Sequence, residues 1–351
     1  MKSPDATTAP QTAIARAIRR CAIRRRAFLR QSAAASAGVL GLGLQGEAGP
    51  AIPSRNCARH SPPQTPLSSL HSHMTRSIRA SRRLVITTIL FTLAFFRSAA
   101  AEVPAKLPPK ENFHLFLLVG QSNMAGRGIV TPEDQTPHPR VLMLSKAGEW
   151  TPAIDPMHSD KSSAGVGLGK AFGAQIAEAN PGITIGLIPC AVGGSPIDTW
   201  QPGVFYAATK SHPWDDAMQR AHPALKGGTL KGILWHQGES DSTDKLAPGY
   251  EAKLHDLIAR LRKELDAPEV PFIAGQMGLF AESPWNDAKK QVDKAHQDLP
   301  KTVKHAAFVS AAGLNHKGDK LHFDAASYRE FGKRYAEAFA KLTKEQKAPA
   351  R

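Results

Sequence analysis

Cysteine is scarce: of 351 residues only Cys21, Cys57 and Cys190 carry a thiol. Past residue 101 Cys190 stands alone, so an internal disulfide is excluded there, and Cys190 reads as a small buried apolar side chain at a strand end. Acidic residues are scarce in one stretch. Residues 1–101 contain Asp5 and Glu47 against 15 Lys and Arg, whereas residues 102–351 contain 28 acidic and 30 basic residues. The formal net charge of +15 therefore belongs almost wholly to the leader. It gives no support to a nucleic-acid partner, because electrostatic binding needs basic residues on the folded surface. Long apolar runs are also missing: none reaches the roughly 20 residues of a comfortable membrane span. There is no internal repeat.

The leader contains two export-like patterns. Arg24-Arg25-Arg26-Ala27-Phe28-Leu29-Arg30 and the mildly apolar run 33–44 resemble a twin-arginine signal. The second pattern is stronger. Met74 is followed by Arg76, Arg79, Arg82 and Arg83, then by the apolar run 84–96, then by Ala99-Ala100-Ala101 before Glu102. A charged start, a short apolar centre and small residues at a cleavage point are the three parts of a secretory signal. The expectation is cleavage near Ala101 and export to the periplasm or beyond. Arg97 in the cleavage region keeps an uncleaved anchor as the alternative. Two signals in series make no mechanistic sense, so Met74 is expected to be the true start. Residues 1–73, rich in Arg, Ala, Ser and Pro, then read as a disordered upstream extension.

After a Pro- and Lys-containing linker at 102–112, the chain alternates strand and helix patterns over 113–345. Residues 113–119 form a nearly continuous apolar run, as expected of a strand buried on both faces. Similar runs occur at 183–189, 230–235, 271–274 and 306–310. Helical spacing occupies 165–179, which ends at Asn180-Pro181-Gly182, and also 250–265 and 284–298. A last helix runs to about 342 from Asp324, a suitable N-cap. This alternation predicts one α/β domain with a mainly parallel sheet, whose ligands bind beyond the carboxyl ends of the strands.

Three of the strand runs end in unusual polar, glycine-containing segments. They are Gly120-Gln121-Ser122-Asn123-Met124-Ala125-Gly126, then Ala191-Val192-Gly193-Gly194-Ser195, then His236-Gln237-Gly238-Glu239-Ser240-Asp241. In a parallel sheet these ends lie side by side on one edge. Ser122 sits where a strand passes into a helix, which suits either a nucleophile or an ordinary N-cap. A nucleophilic serine needs a base, and the base needs an orienting acid. Asp319-Lys320-Leu321-His322 offers both within four residues. His316 competes as the base but has no acid similarly spaced before it, and Asp324 competes as the acid. Candidate donors to a developing oxyanion are the backbone N–H of Ser122, that of Gly193 or Gly194, and the Gln237 amide. Glu239 either helps to orient His322 or ties its own loop to backbone donors. Trp200 and Trp214, in proline-containing loops, are candidates for contacting substrate, with Tyr206 as a further aromatic. Trp235 falls inside a strand pattern and reads as core.

Gly120-Gln121-Ser122-Asn123-Met124, the Gly193-Gly194 loop running on to Trp200, Trp235-His236-Gln237-Gly238-Glu239-Ser240 and Asp319-x-x-His322-Phe323 resemble the ordered blocks of the SGNH-hydrolase superfamily. They are similar in particular to its sialate O-acetylesterase / carbohydrate esterase family 6 branch, which includes acetylxylan esterases. The resemblance covers roughly 113–339. It implies a three-layer, flavodoxin-like α/β/α sandwich, no metal or other cofactor, and removal of O-acetyl groups from sugars. It also implies Ser122 as nucleophile, His322 as base and Asp319 as acid, supported by Gln121, Asn123 and Glu239. Gln121 and Gln237 stand where other branches carry Asp and Asn, which favours the carbohydrate branch over a lipase. The alternatives are a non-catalytic carbohydrate-binding protein on the same fold, and a general short-chain esterase or thioesterase.

Overall fold

The computed structural model describes residues 106–347. The expectations for the leader and the apolar run at 84–96 lie outside the described residues. Seven strands form one sheet. They are β1 (Phe113–Gly120), β2 (Val141–Leu144), β3 (Trp150–Pro152), β4 (Thr184–Pro189), β5 (Thr229–His236), β6 (Phe272–Gly275) and β7 (Ala306–Val309). Their order across the sheet is β3-β2-β4-β1-β5-β6-β7, and every pairing is parallel except β2 with β3.

β1 lies at the centre, and its alternation shows why it reads as continuously apolar. Phe113, Leu115, Leu117 and Val119 enter one core, while Phe116 and Leu118 enter the other, as the two-residue period of a strand requires. The first core is covered by α3 (Pro213–Gly227), α4 (Tyr250–Glu264) and α5 (Asp287–Thr302). The second is covered by α2 (Gly169–Ala179) and α6 (Ala325–Lys347). The result is the expected α/β/α sandwich. No helix among the described residues is long and apolar enough to cross a membrane.

The predicted strands and helices are all present, with ends shifted by at most five residues. The helix expected at 165–179 begins at Gly169, and the one expected at 284–298 runs from Asp287 to Thr302. Asp324 caps α6, its Oδ1 accepting the Ser327 N–H at 2.7 Å. Strands β2 and β3 and helix α3 were not anticipated.

At the carboxyl end of the sheet, β1 and β5 close on one another. The Gln121 N–H donates to the His236 carbonyl at 2.9 Å. Gly120 makes this approach possible, because a Cβ there would overlap the His236 carbonyl. Its φ of +132° is also a conformation open mainly to glycine.

Candidate active site

Ser122 opens α1 (Ser122–Ala125), a single helical turn directly beyond β1. His322 lies in the loop between β7 and α6, 200 residues further along the chain. Its Nε2 is 3.0 Å from the Ser122 Oγ, and its Nδ1 is 2.7 Å from the Asp319 Oδ2. A neutral imidazole that donates from Nδ1 to Asp319 leaves Nε2 free to accept the Ser122 hydroxyl. The alcohol, imidazole and carboxylate are therefore in line.

The three-residue spacing works through a tight turn. Asp319 Oδ1 accepts the N–H of Leu321 at 3.0 Å and of His322 at 2.8 Å, fixing the carboxylate against the backbone that carries the imidazole. Partial burial acts to raise the Asp319 pKa. The His322 N–H, the His322 ring and the Leu321 N–H outweigh it and bring it down to about 2. Asp319 therefore stays ionised throughout the neutral range.

The two competitors have other duties. His316 Nδ1 accepts the Gly318 N–H at 2.9 Å, and its ring packs edge-on against Phe280. Asp324 is the helix cap already described.

Asn123, fully buried, joins the serine turn to the histidine loop. Its Nδ2 donates to Glu239 Oε1 at 2.7 Å and to the Leu321 carbonyl at 3.1 Å. Its Oδ1 accepts the Tyr328 hydroxyl at 2.6 Å and the Phe323 N–H at 3.4 Å. Glu239 thus reaches the His322 loop through Asn123.

The glycine loop after β4 supplies the opposite wall. The Gly193 N–H donates to Asp160 Oδ2 at 2.8 Å, so this amide is already committed and does not face the site as a spare donor. Asp160 is paired at 2.6 Å with Arg127, and both side chains are almost fully buried. A Cβ on Gly193 would meet both of them, which explains glycine there. Gly194 is turned differently. Its carbonyl accepts the Tyr206 hydroxyl at 2.7 Å and the Ser240 hydroxyl at 2.9 Å. Neither the Gly194 nor the Ser122 N–H donates to another group among the described residues.

Gln237 also departs from expectation. It is fully buried, and its amide donates to Asp241 Oδ2 (2.5 Å), Gln121 Oε1 (3.1 Å) and the Ser195 carbonyl (3.2 Å). With its donors spent internally, it braces the rim from below and does not point at substrate. Gln121 Oε1 in turn lies 3.4–3.5 Å from the N–H groups of Gly238 and Ser240.

The tryptophan expectation is corrected as well. Trp200 is 0% and Trp214 4% exposed. Trp200 donates to Ser195 Oγ at 3.0 Å and packs edge-on against Trp235, and Trp214 lies under the Arg260 guanidinium. The loop carrying Trp200 folds inward and Trp214 lies in the first turn of α3, so both rings complete the core. Tyr206 secures Gly194, and Trp235 is core as read.

Sequence reasoning missed Arg127, Asp160 and Tyr328. Arg127 directly follows the Gly120–Gly126 segment, which was the only available signal. Asp160 carries none.

Residues 112–341 match the family model described as carbohydrate esterase, sialic acid-specific acetylesterase. A probable carbohydrate esterase of Arabidopsis thaliana is 31% identical over 259 residues, covering 68% of this chain and 93% of that protein. An X-ray structure of an A. thaliana protein superposes with a TM-score of 0.58 at 31% identity, over 67% of this chain and 99% of that one. NanS shares the fold at a TM-score of 0.56 and 17% identity, over 68% of this chain and 100% of its own. So does a carbohydrate acetylesterase from Xanthomonas citri, at 0.53 and 19%, over 66% of this chain and 57% of its own.

Proposed function

Because the chain belongs to the sialic acid-specific acetylesterase family of carbohydrate esterases, and is accordingly a carboxylic ester hydrolase, we propose that it removes O-acetyl groups from carbohydrate through an acyl-enzyme on Ser122. The observation that carries this reading is the contact of Ser122 Oγ with His322 Nε2 at 3.0 Å, backed by Asp319 at 2.7 Å.

Ser122 Oγ attacks the acetyl carbonyl while its proton passes to His322 Nε2. The ionised Asp319 stabilises the imidazolium that forms. The tetrahedral intermediate carries negative charge on the former carbonyl oxygen, to which the N–H groups of Ser122 and Gly194 donate. A donor of this kind contributes about 2.7–4 kcal/mol to transition-state stabilisation. Collapse breaks the bond to the sugar oxygen, which leaves with the proton from His322. Water then gives its proton to His322 and attacks the acetyl-enzyme, releasing acetate and restoring Ser122.

The test is a Ser122→Ala protein assayed on p-nitrophenyl acetate and on acetylated xylan. Loss of both activities is expected, and unchanged turnover would reject the assignment. Export is part of the same proposal and rests on the signal-like pattern at 74–101. Amino-terminal sequencing of protein recovered outside the cytoplasm should give a start at Glu102.

A further inference from the structure

With Trp200 and Trp214 buried, the sugar needs another surface, and the order of the strands points to one. Catalytic geometry divides the space around Ser122 into two sides. The carbonyl oxygen turns toward its donors, and the sugar oxygen leaves beside the imidazole that protonates it. Gly194 follows β4, on one side of β1. Glu239 follows β5, Ser283 and Lys289 follow β6, and His322 follows β7, all on the other side.

On that second side lies a cleft of about 280 Å³, lined by Glu239, Ser242, Ser283, Asn286, Lys289 and Leu321. Two of its lining residues, Glu239 and Leu321, are held by the residue next to Ser122. Asn123, next to Ser122, donates both to Glu239 and to the carbonyl of Leu321, which precedes His322. Its size is near the lower end of the ~300–1,000 Å³ usual for small-ligand pockets, which suits a single ring better than a long acyl chain.

The lining is chemically specific. The Ser283 hydroxyl, the Asn286 Nδ2 and the Lys289 ammonium are unspent among the described residues and offer donors with an acceptor, the pairing that a polyol requires. Glu239, by contrast, is bonded to Asn123, Ser242 to the Gly238 carbonyl, and Pro284 and Leu321 are apolar. Lys289 is half-buried with its ammonium 5.0 Å from the centroid of the Trp285 ring, and it has no ion-pair partner among the described residues. Trp285 is itself held by a 2.8 Å bond to the Gly278 carbonyl, so the lysine rests on a fixed platform.

We propose that this cleft holds the pyranose ring bearing the ester, with Lys289 and Ser283 hydrogen-bonding its free hydroxyls. The inference rests on the esterase reading of Ser122 and adds to it the place of the leaving sugar. The acetyl group then lies toward Gly194 and the ring toward α5.

Lys289→Met and Ser283→Ala proteins are assayed on mono-O-acetylated methyl xylopyranoside and on p-nitrophenyl acetate. In Lys289→Met, loss of a charge-assisted hydrogen bond should raise KM for the sugar ester by about tenfold, with a smaller rise for Ser283→Ala. Both should leave kcat within about twofold and shift the aryl-ester KM by less than about threefold, because that leaving group enters the same cleft but has no ring hydroxyls for the two side chains to bond. An unaltered sugar-ester KM in both variants overturns the subsite while aryl-ester turnover leaves the esterase standing. A wild-type protein that cleaves neither ester removes the underlying reading and the subsite with it.

Discussion

Asp160 accepts the backbone N–H of Gly193 at 2.8 Å while holding the Arg127 guanidinium at 2.6 Å. Arg127 also donates to the carbonyl of Gly126, at the end of the serine turn, at 2.7 Å. The nucleophile turn and the glycine loop are thus tied through one buried ion pair. Removing the carboxylate leaves a guanidinium buried without a counter-charge, which costs about 3–5 kcal/mol. It also frees the loop that carries Gly194. Asp160→Ala should lower Tm and reduce kcat on p-nitrophenyl acetate by roughly 10–100-fold, since misplacement by about 1 Å has that effect. Asp160→Asn, which keeps an acceptor for Gly193, should recover part of kcat. Wild-type kcat in the alanine variant would show that the tie has no bearing on catalysis.

Glu239 offers a sharper distinction. Its carboxylate bonds Asn123, not His322, so its influence on the base is exerted through position. Glu239→Gln retains an oxygen for the Asn123 amide and should keep kcat within about threefold of wild type. Asn123→Ala leaves the buried Tyr328 hydroxyl and the Leu321 carbonyl unsatisfied, at about 1–3 kcal/mol each, and unlocks the histidine loop. It should depress kcat far more than KM. If Glu239→Gln proved as damaging as Asn123→Ala, the glutamate would be acting through its charge.

These contacts mark the limit of what the sequence discloses. The central strands were legible because a parallel strand buried on both faces must be apolar throughout, as β1 is. β3, three residues long and nowhere fully buried, leaves no such trace. Helix α3 contains Pro223 in its interior, and that helix-breaking residue hid it. Ser122, Asp319 and His322 could be found because their chemistry imposes local spacing. The roles of Asp160, Trp200 and Gln237 depend on which way a loop folds. No spacing within one segment encodes that, and for Gln237 and both tryptophans the inward direction reversed the expectation.

Three buried histidines make stability depend on pH. Burial lowers the pKa of His158 and His236 to about 4, against a smaller opposing pull from Asp160 and Glu239 respectively. Burial and the neighbouring His236 bring His296 down to about 3. An unfolded histidine titrates near 6.5, so in acid the unfolded chain binds protons that the fold refuses. The stabilisation is fully present above pH ~6.5 and is lost as the pH falls toward these lower values, by up to about 1.4 kcal/mol per group per pH unit. His236 lies between Phe323 and Phe331, where phenylalanine fits. The Tm of His236→Phe should therefore fall less than that of wild type between pH 7.5 and 4.5. Parallel Tm curves across that interval would rule out His236 as a contributor.

Trp200 separates packing from recognition. Its ring is wholly enclosed, meets Trp235 at 5.5 Å between centroids, and spends its only N–H on Ser195. Ser195 is also the residue whose carbonyl receives the Gln237 amide, so the indole supports the rim through that serine. Replacing it with alanine opens a large cavity and should cost about 3–5 kcal/mol, readable as a lower midpoint in urea. A stacking residue would instead reveal itself in binding. Assayed well below its unfolding temperature, Trp200→Ala should keep its KM for acetylated xylan within about twofold of wild type. A tenfold rise in KM with unchanged stability would return this tryptophan to the substrate surface.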